Sequence, residues 1–166
     1  MASRSFEMEP IDEIAVGTLG DPGQRQFFLQ ARGGGQTVTL GCEKFHIQGL
    51  VTRIQQLLEA QGLQPGPEPD PVGSVQEPLA PEWTIAELGL GYHESRKLFV
   101  IVAREQGEGD DRATARLWAS PAQVRAFAKQ AAEVLAGGRP TCQYCGLPID
   151  PSGHPCPAQN GSRPIF

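Results

Sequence analysis

The sequence predicts an α+β body in which two βββα repeats form an antiparallel sheet covered by two helices. Three observations carry that prediction. Short β-prone runs bounded by glycine turns precede a stretch of helical periodicity, the same order recurs later in the chain, and a proline-rich segment separates the two occurrences. A chain of 166 residues suits one ordinary domain with a small appendage. The 20 Gly and 15 Pro exceed average usage and forecast the turns and the divider.

The first strand is expected over Ile11 to Val16, closing on Gly17 and Gly20. Asp21-Pro22-Gly23 turns the chain into a second strand, Gln24 to Arg32, centred on Phe27, Phe28 and Leu29. Gly33-Gly34-Gly35 turns it again into Gln36 to Leu40, where Val38 and Leu40 alternate with Thr37 and Thr39. From Glu43 the spacing becomes helical. Phe45, Ile47, Leu50, Val51, Ile54, Leu57 and Leu58 keep one face apolar, and Gly62 marks the stop.

Residues 63–82 carry Pro65, Pro67, Pro69, Pro71, Pro78 and Pro81, so they read as an extended, partly stiff linker. Beyond it, strands are expected over Trp83 to Tyr92, Arg96 to Arg104 and Arg112 to Trp118. A helix follows from Pro121 to Ala136, opened by Ser120-Pro121 and stopped by Gly137-Gly138. The halves align directly. Ile14 and Ile85, Gly20 and Gly91, and Phe28 and Phe99 are each 71 positions apart, whereas Leu40 and Leu117, Leu50 and Phe127, and Leu57 and Val134 are 77 apart. A six-residue insertion in the loop Glu105 to Asp111 reconciles the two spacings. The expected organisation is therefore 1–62, first unit; 63–82, linker; 83–138, second unit; and 139–166, a C-terminal loop.

That loop holds the most specific chemistry in the chain. Cys142-Gln143-Tyr144-Cys145-Gly146 is a CxxC turn that aims two sulfurs at one point, and Asp150-Pro151-Ser152-Gly153 then reverses the chain into His154-Pro155-Cys156. In extended backbone His154 and Cys156 share a side, so Cys142, Cys145, His154 and Cys156 make a tetrahedral donor set for a structural Zn2+ with no open position. The redox reading of CxxC needs the pair to open a helix, which Gly146 and Pro148 oppose, and an iron–sulfur cluster on three Cys and one His is the other alternative.

Elsewhere the chemistry is sparse. Cys42 sits at a strand–helix junction and reads as a small buried thiol. His46 and His93 each stand without a nucleophile or carboxylate at a suggestive spacing. The triple glycine lacks the Lys-Ser/Thr of a phosphate loop, and the acidic loop at 105–111 lacks the ligand pattern of a calcium hand. Arg96, Arg104, Arg112, Arg116 and Arg125 cluster in the second half, where pairing with Glu105, Asp110 and Asp111 is expected.

The formal net charge of −5 gives no general pull toward nucleic acid, and between Thr141 and Phe166 the only basic side chains are Arg163 and His154. Met1 to Pro10 has neither a secretory nor a lipidation pattern, and no apolar run reaches the length of about 18–20 residues that spans a bilayer. A cytoplasmic protein with reduced thiols is expected.

Through Cys142-x-x-Cys145-Gly146 and Gly153-His154-x-Cys156-Pro157-x-x-Asn160-Gly161, the chain resembles an uncharacterised bacterial family, a domain of unknown function found mainly in high-GC Gram-positive bacteria. The likeness extends to Pro10–Gly20, the Phe27-Phe28 strand and the Arg96–Val102 strand. It implies a process shared with two genomic neighbours, a histidine-phosphatase-like protein and a lipid-kinase-like protein, and it brings no catalytic residues.

The expected role is therefore a non-enzymatic zinc-binding adaptor or protein-interaction module. The alternatives are a nucleic-acid-associated, zinc-ribbon-like protein, and an enzyme or binding protein that holds a phosphorylated small molecule on Arg104, Arg112 or Arg116 between the repeats.

Overall fold

The computed structural model describes residues 3–20, 25–66, 70–109 and 111–137, together with the backbone of two short C-terminal strands. In chain order the elements are β1 (Phe6–Met8), β2 (Glu13–Leu19), β3 (Gln26–Gly33), β4 (Gln36–Cys42), α1 (Lys44–Ala60), β5 (Trp83–His93), β6 (Leu98–Glu105), β7 (Thr114–Ala119), α2 (Pro121–Leu135), β8 (His154–Pro155) and β9 (Pro164–Ile165). The fold is α+β, with β1 to β7 in one seven-stranded sheet of order β1-β7-β6-β5-β4-β3-β2.

The sheet is mixed where the sequence suggested an antiparallel one. Each hairpin is antiparallel, but β4 meets β5 in parallel through Leu40↔Trp83 and Gly41↔Thr84, and β1 runs parallel to β7. For β4 and β5 the cause lies in the crossover. A strand that returns to the sheet after a helix and a linker arrives in the direction of the strand it left.

The β1 strand, unforeseen in the sequence, is three residues long and has no local reason to be extended. Its pairing with β7 makes it a strand, and Phe6 and Met8 then enter the core. The chain next passes from β7 to β3 within two residues: Ile11 donates its N–H to Trp118 O at 2.9 Å and Asp12 to Arg32 O at 2.7 Å. Strands at opposite ends of the order are thus joined through residues 9–12, and the sheet curls back on itself.

One core cluster fills the interior, built from alternate residues of every long strand and one face of each helix. Phe27, Leu29 and Ala31 of β3, Val38 and Leu40 of β4, and Phe99, Ile101 and Ala103 of β6 all point into it. Both helices add residues at i, i+3, i+4 spacing: Ile47, Leu50, Val51 and Ile54 from α1, as the periodicity marked, and Val124, Phe127, Ala128 and Ala131 from α2. The helices pack on each other, α1 on β5 and α2 on β2.

Strand registers refine the correspondence between halves. Phe99 lies opposite Ala119 where Phe27 lies opposite Cys42, so Phe27 and not Phe28 occupies the place of Phe99. Likewise Leu90 lies opposite Ile101 as Val16 lies opposite Leu29. Phe28 and Phe99, 71 apart, therefore fall on opposite faces, because a slip of one residue turns a strand over, whereas Ile14 and Ile85, on the near side of the β5 bulge, both enter the core. At the spacing of 77, Leu40 and Leu117, Ile47 and Val124, and Leu50 and Phe127 are all buried.

The linker does more than connect. Gln30 projects from the outer face of β3, 3% exposed, and its amide accepts from Gln76 N at 2.7 Å and donates to Gln76 O at 2.9 Å and Thr39 Oγ1 at 3.0 Å. Gly17 of β2 leaves room for Val75 and Leu79, which a Cβ would meet at 3.2 and 3.0 Å. Asp70 pairs with Arg125 of α2 at 3.0 Å. Residues 70–82 therefore lie as a strap across the outer face of β2, β3 and β4.

Candidate functional site

The junction of β4, α1 and β5 brings together Arg25, Cys42, Glu43 and His46. Helix α1 starts at Glu43, whose N–H is accepted by His46 Nδ1 at 3.0 Å. That bond places the proton of the neutral ring on Nε2, which donates to Ala86 O at 3.0 Å. Ala86 lies in the register shift between Ile85 and Glu87, where a bulge frees its carbonyl from the ladder. His46, buried, thus spends one nitrogen on closing the start of α1 and the other on holding α1 to β5.

The start of α2 is built in the same way. Ser120 Oγ accepts from Gln123 N at 3.1 Å, Gln123 Oε1 accepts from Ser120 N at 2.8 Å, and Gln123 Nε2 reaches across to Ile11 O at 2.9 Å. Each helix is pinned through its third residue to the other half, α1 to β5 at Ala86 and α2 to Ile11 in the segment just before β2. A Glu–His pair and a Ser–Gln pair do equivalent work with different chemistry, which is why spacing alone did not single them out.

Beside His46, the Cys42 thiol is buried at the end of β4. Desolvation, with a smaller contribution from the Glu43 carboxylate, pushes its pKa from 9.0 up to about 12. It stays protonated at neutral pH and is a poor nucleophile or ligand. Arg25, Gln26, Phe28, Gly41, Cys42, Glu43, Pro81 and Thr84 border a cavity of about 280 Å³ at this junction. It offers a cation, a carboxylate and a hydroxyl to a small polar ligand. Arg25 also donates to Val134 O at 3.0 Å and lies over the Phe27 ring.

Residues 6–156 match the model of a family described as a protein of unknown function (DUF3090). The chain belongs to that family. Comparisons with curated proteins and with solved structures gave no match.

The DUF3090 match ends at Cys156, so Cys142, Cys145, His154 and Cys156 all fall inside it. The three cysteines lie outside the described residues. Of His154 the backbone alone is described, in a two-residue pairing of β8 with β9 that sets His154 opposite Ile165. Among the described residues there is no cluster of three or more His, Cys, Asp or Glu able to hold a metal, and no helix long and apolar enough to cross a membrane.

The arginines expected at the groove between halves are not there in this DUF3090 member. Arg104 and Arg116 stand on the outer face of β6 and β7, two pairs apart in the ladder, and form no ion pair among the described residues. Arg112 donates to Gly109 O at 3.1 Å and closes its own hairpin. Ion pairs do form, but with partners other than the hairpin acids: Arg96 with Glu9, Arg125 with Asp70, and Arg32 with Glu13. Arg96 also covers the Trp118 ring at 4.9 Å. Glu105 accepts from Ala113 N and Ser3 Oγ, which hold its carboxyl below the usual range; Asp110 lies outside the described residues. His93 is exposed, its Nδ1 taken by Arg96 N and Ser95 Oγ in the turn between β5 and β6.

Polar residues that sequence reasoning passed over turn out to organise the body. Gln130 of α2 accepts from Val16 N and donates to Val16 O, both at 2.9 Å, so a side-chain amide stands in for a neighbouring strand. Gln30 does the same for the strap. The available signal was glutamine inside otherwise apolar runs, at Gln30 beside Phe28-Leu29 and at Gln130 beside Ala131-Ala132.

Proposed function

We propose that this protein is a non-enzymatic zinc-binding interaction module whose C-terminal loop carries one structural Zn2+ on Cys142, Cys145, His154 and Cys156. The observation that carries the reading is this donor set itself: three thiolates and one imidazole within fifteen residues, on a CxxC-Gly turn and a chain reversal, satisfy zinc's tetrahedral demand with no site left for substrate. The metal closes its own loop and turns residues 142–156 into a rigid surface. The adaptor role is supported by the body, where Cys42 is held protonated and His46 is bonded at both nitrogens. We read the body as two βββα units, on the strength of the matched registers and of the helix starts at Glu43 and Ser120, 77 positions apart.

The process is the one implied by the family resemblance, shared with a histidine-phosphatase-like and a lipid-kinase-like protein. Elemental analysis of the purified full chain tests the metal: about one zinc per chain is expected, and Cys145→Ser should lose it. A zinc-free preparation whose C-terminal amides stay protected would overturn the metal reading. Co-purification with either neighbour tests the adaptor role, and failure to bind any protein would refute it. A second reading, a small polar ligand at the β4–β5 junction, is favoured by the cavity bordered by Arg25, Glu43 and Thr84.

A further inference from the structure

The two halves differ in what covers their first long strand. On β2, the outward-facing backbone of Val16 is bonded by Gln130, and the strap passes so close to Ile14 that a Cβ on Gly73 would collide with its carbonyl. On β5 the corresponding groups belong to Leu88, Leu90 and Tyr92. The ladder fixes this. Glu105 N bonds Ala113 O, so alternate residues Ala103 and Ile101 also bond β7, and Arg104, Val102, Val100 and Leu98 bond Glu87, Gly89, Gly91 and His93 of β5. Leu88, Leu90 and Tyr92 then turn their N–H and C=O outward. His46 takes the first carbonyl on that side, at Ala86, and beyond it no described residue bonds the edge.

The position on α1 that matches Gln130 is Arg53, which is exposed and makes no hydrogen bond to β5 among the described residues. Leu88, Leu90 and Tyr92 remain partly exposed, where Ile14 and Val16 are buried. Phe45, 63% exposed, stacks on His46 at 4.1 Å beside the same edge. From Leu88 to Tyr92 the edge carries no charge, no proline and no bulge, the devices by which proteins block edge pairing.

We infer that the β5 edge pairs antiparallel with β5 of a second copy of this chain about a two-fold axis at Leu90, joining the two sheets. The strand is its own complement in that register. Leu90 meets Leu90, Leu88 meets Tyr92, and Gly89 meets Gly91. The carboxylate of Glu87 falls opposite His93 and not opposite itself. Leu88, Leu90 and Tyr92 form the hydrogen-bonded pairs, giving about six inter-chain bonds at two per pair. The contact is isologous and closes as a dimer, without further growth. It does not depend on the zinc reading.

Sedimentation of the zinc-replete full chain from low micromolar to millimolar concentration tests this, alongside hydrogen exchange at single amides. The expected result is a monomer–dimer equilibrium in which the Leu88, Leu90 and Tyr92 amides gain protection with concentration. Leu90→Pro removes an edge donor that β6 does not use, and should raise the dissociation constant at least about tenfold. Because proline could perturb folding, a second variant combines Gly89→Lys with Gly91→Lys. A Cβ at Gly89 meets nothing within 4 Å and one at Gly91 meets only Val100 at 3.5 Å, so the fold accepts both, while ammonium groups oppose each other across the axis. A chain that stays monomeric at millimolar concentration overturns the inference. So does a dimer that both variants leave intact, or edge amides protected equally at every concentration, which would mean that the chain covers its own edge.

Discussion

Replacing Gln30 by leucine removes the amide that fastens the strap to β3 while keeping the side chain's approximate volume. Three hydrogen bonds go at once, to Gln76 N, Gln76 O and Thr39 Oγ1, at 2.7, 2.9 and 3.0 Å. Each such bond contributes about 0.5–1.5 kcal/mol net, and a buried partner left unsatisfied costs about 1–3 kcal/mol. The Gln76 backbone can escape part of that cost by lifting into water, whereas the Thr39 hydroxyl oxygen, buried beneath, loses its donor and can seek only another local one. Leucine recovers some apolar burial. The expected loss is therefore about 2–4 kcal/mol in urea unfolding of the full chain, with faster proteolysis confined to residues 70–82. Gln30→Glu should cost more at neutral pH, since a carboxylate accepts from Gln76 N but faces the Gln76 carbonyl without a proton to give. If Gln30→Leu unfolds within about 0.5 kcal/mol of the parent and the strap is cut no faster, the strap is not held through Gln30 and the reasoning fails.

Two further outcomes are expected. The Cys42 thiol has its pKa raised from 9.0 to about 12, so between those values the folded chain keeps a proton that the unfolded chain has released; its stabilisation is whole below pH 9 and falls as pH rises toward 12. The parent should lose stability more steeply over this window than Cys42→Ala, by up to about 1.4 kcal/mol per pH unit, and equal slopes in denaturant titrations would contradict the burial. Gly17→Ala should lower the melting temperature, since its Cβ presses on Leu79 at 3.0 Å, while Gly91→Ala, at the matching place on the open face, should change it little. Equal losses would show that the strap is not what separates the two positions.

Both helices were legible because burying one face imposes a 3.6-residue period, and the structure runs α1 over Lys44–Ala60 and α2 over Pro121–Leu135 close to where the pattern begins and stops. Gly62 and Gly137, at φ 64° and 67°, hold the left-handed turns that end them. The six long strands were legible too, within a few residues at their ends. Their faces were less so. Phe27 and Phe28 are both buried, one by the core and one on the outer face, so hydrophobicity could not say which of them corresponds to Phe99.

The sequence by itself determined the local elements of the body, their order and the proline-rich stretch at 63–82, because each depends on neighbours within a few positions: side-chain period and backbone restriction at Gly and Pro. Only the tertiary structure decided that β1 exists, that β4 and β5 run parallel, that the proline-rich segment straps one face of the sheet, and that no described residue bonds the edge of β5 beyond Ala86. These depend on partners tens of residues away, as Gln30 on Gln76, Val16 on Gln130 and His46 on Ala86. A glutamine or histidine carries no mark in the sequence of the backbone it will meet.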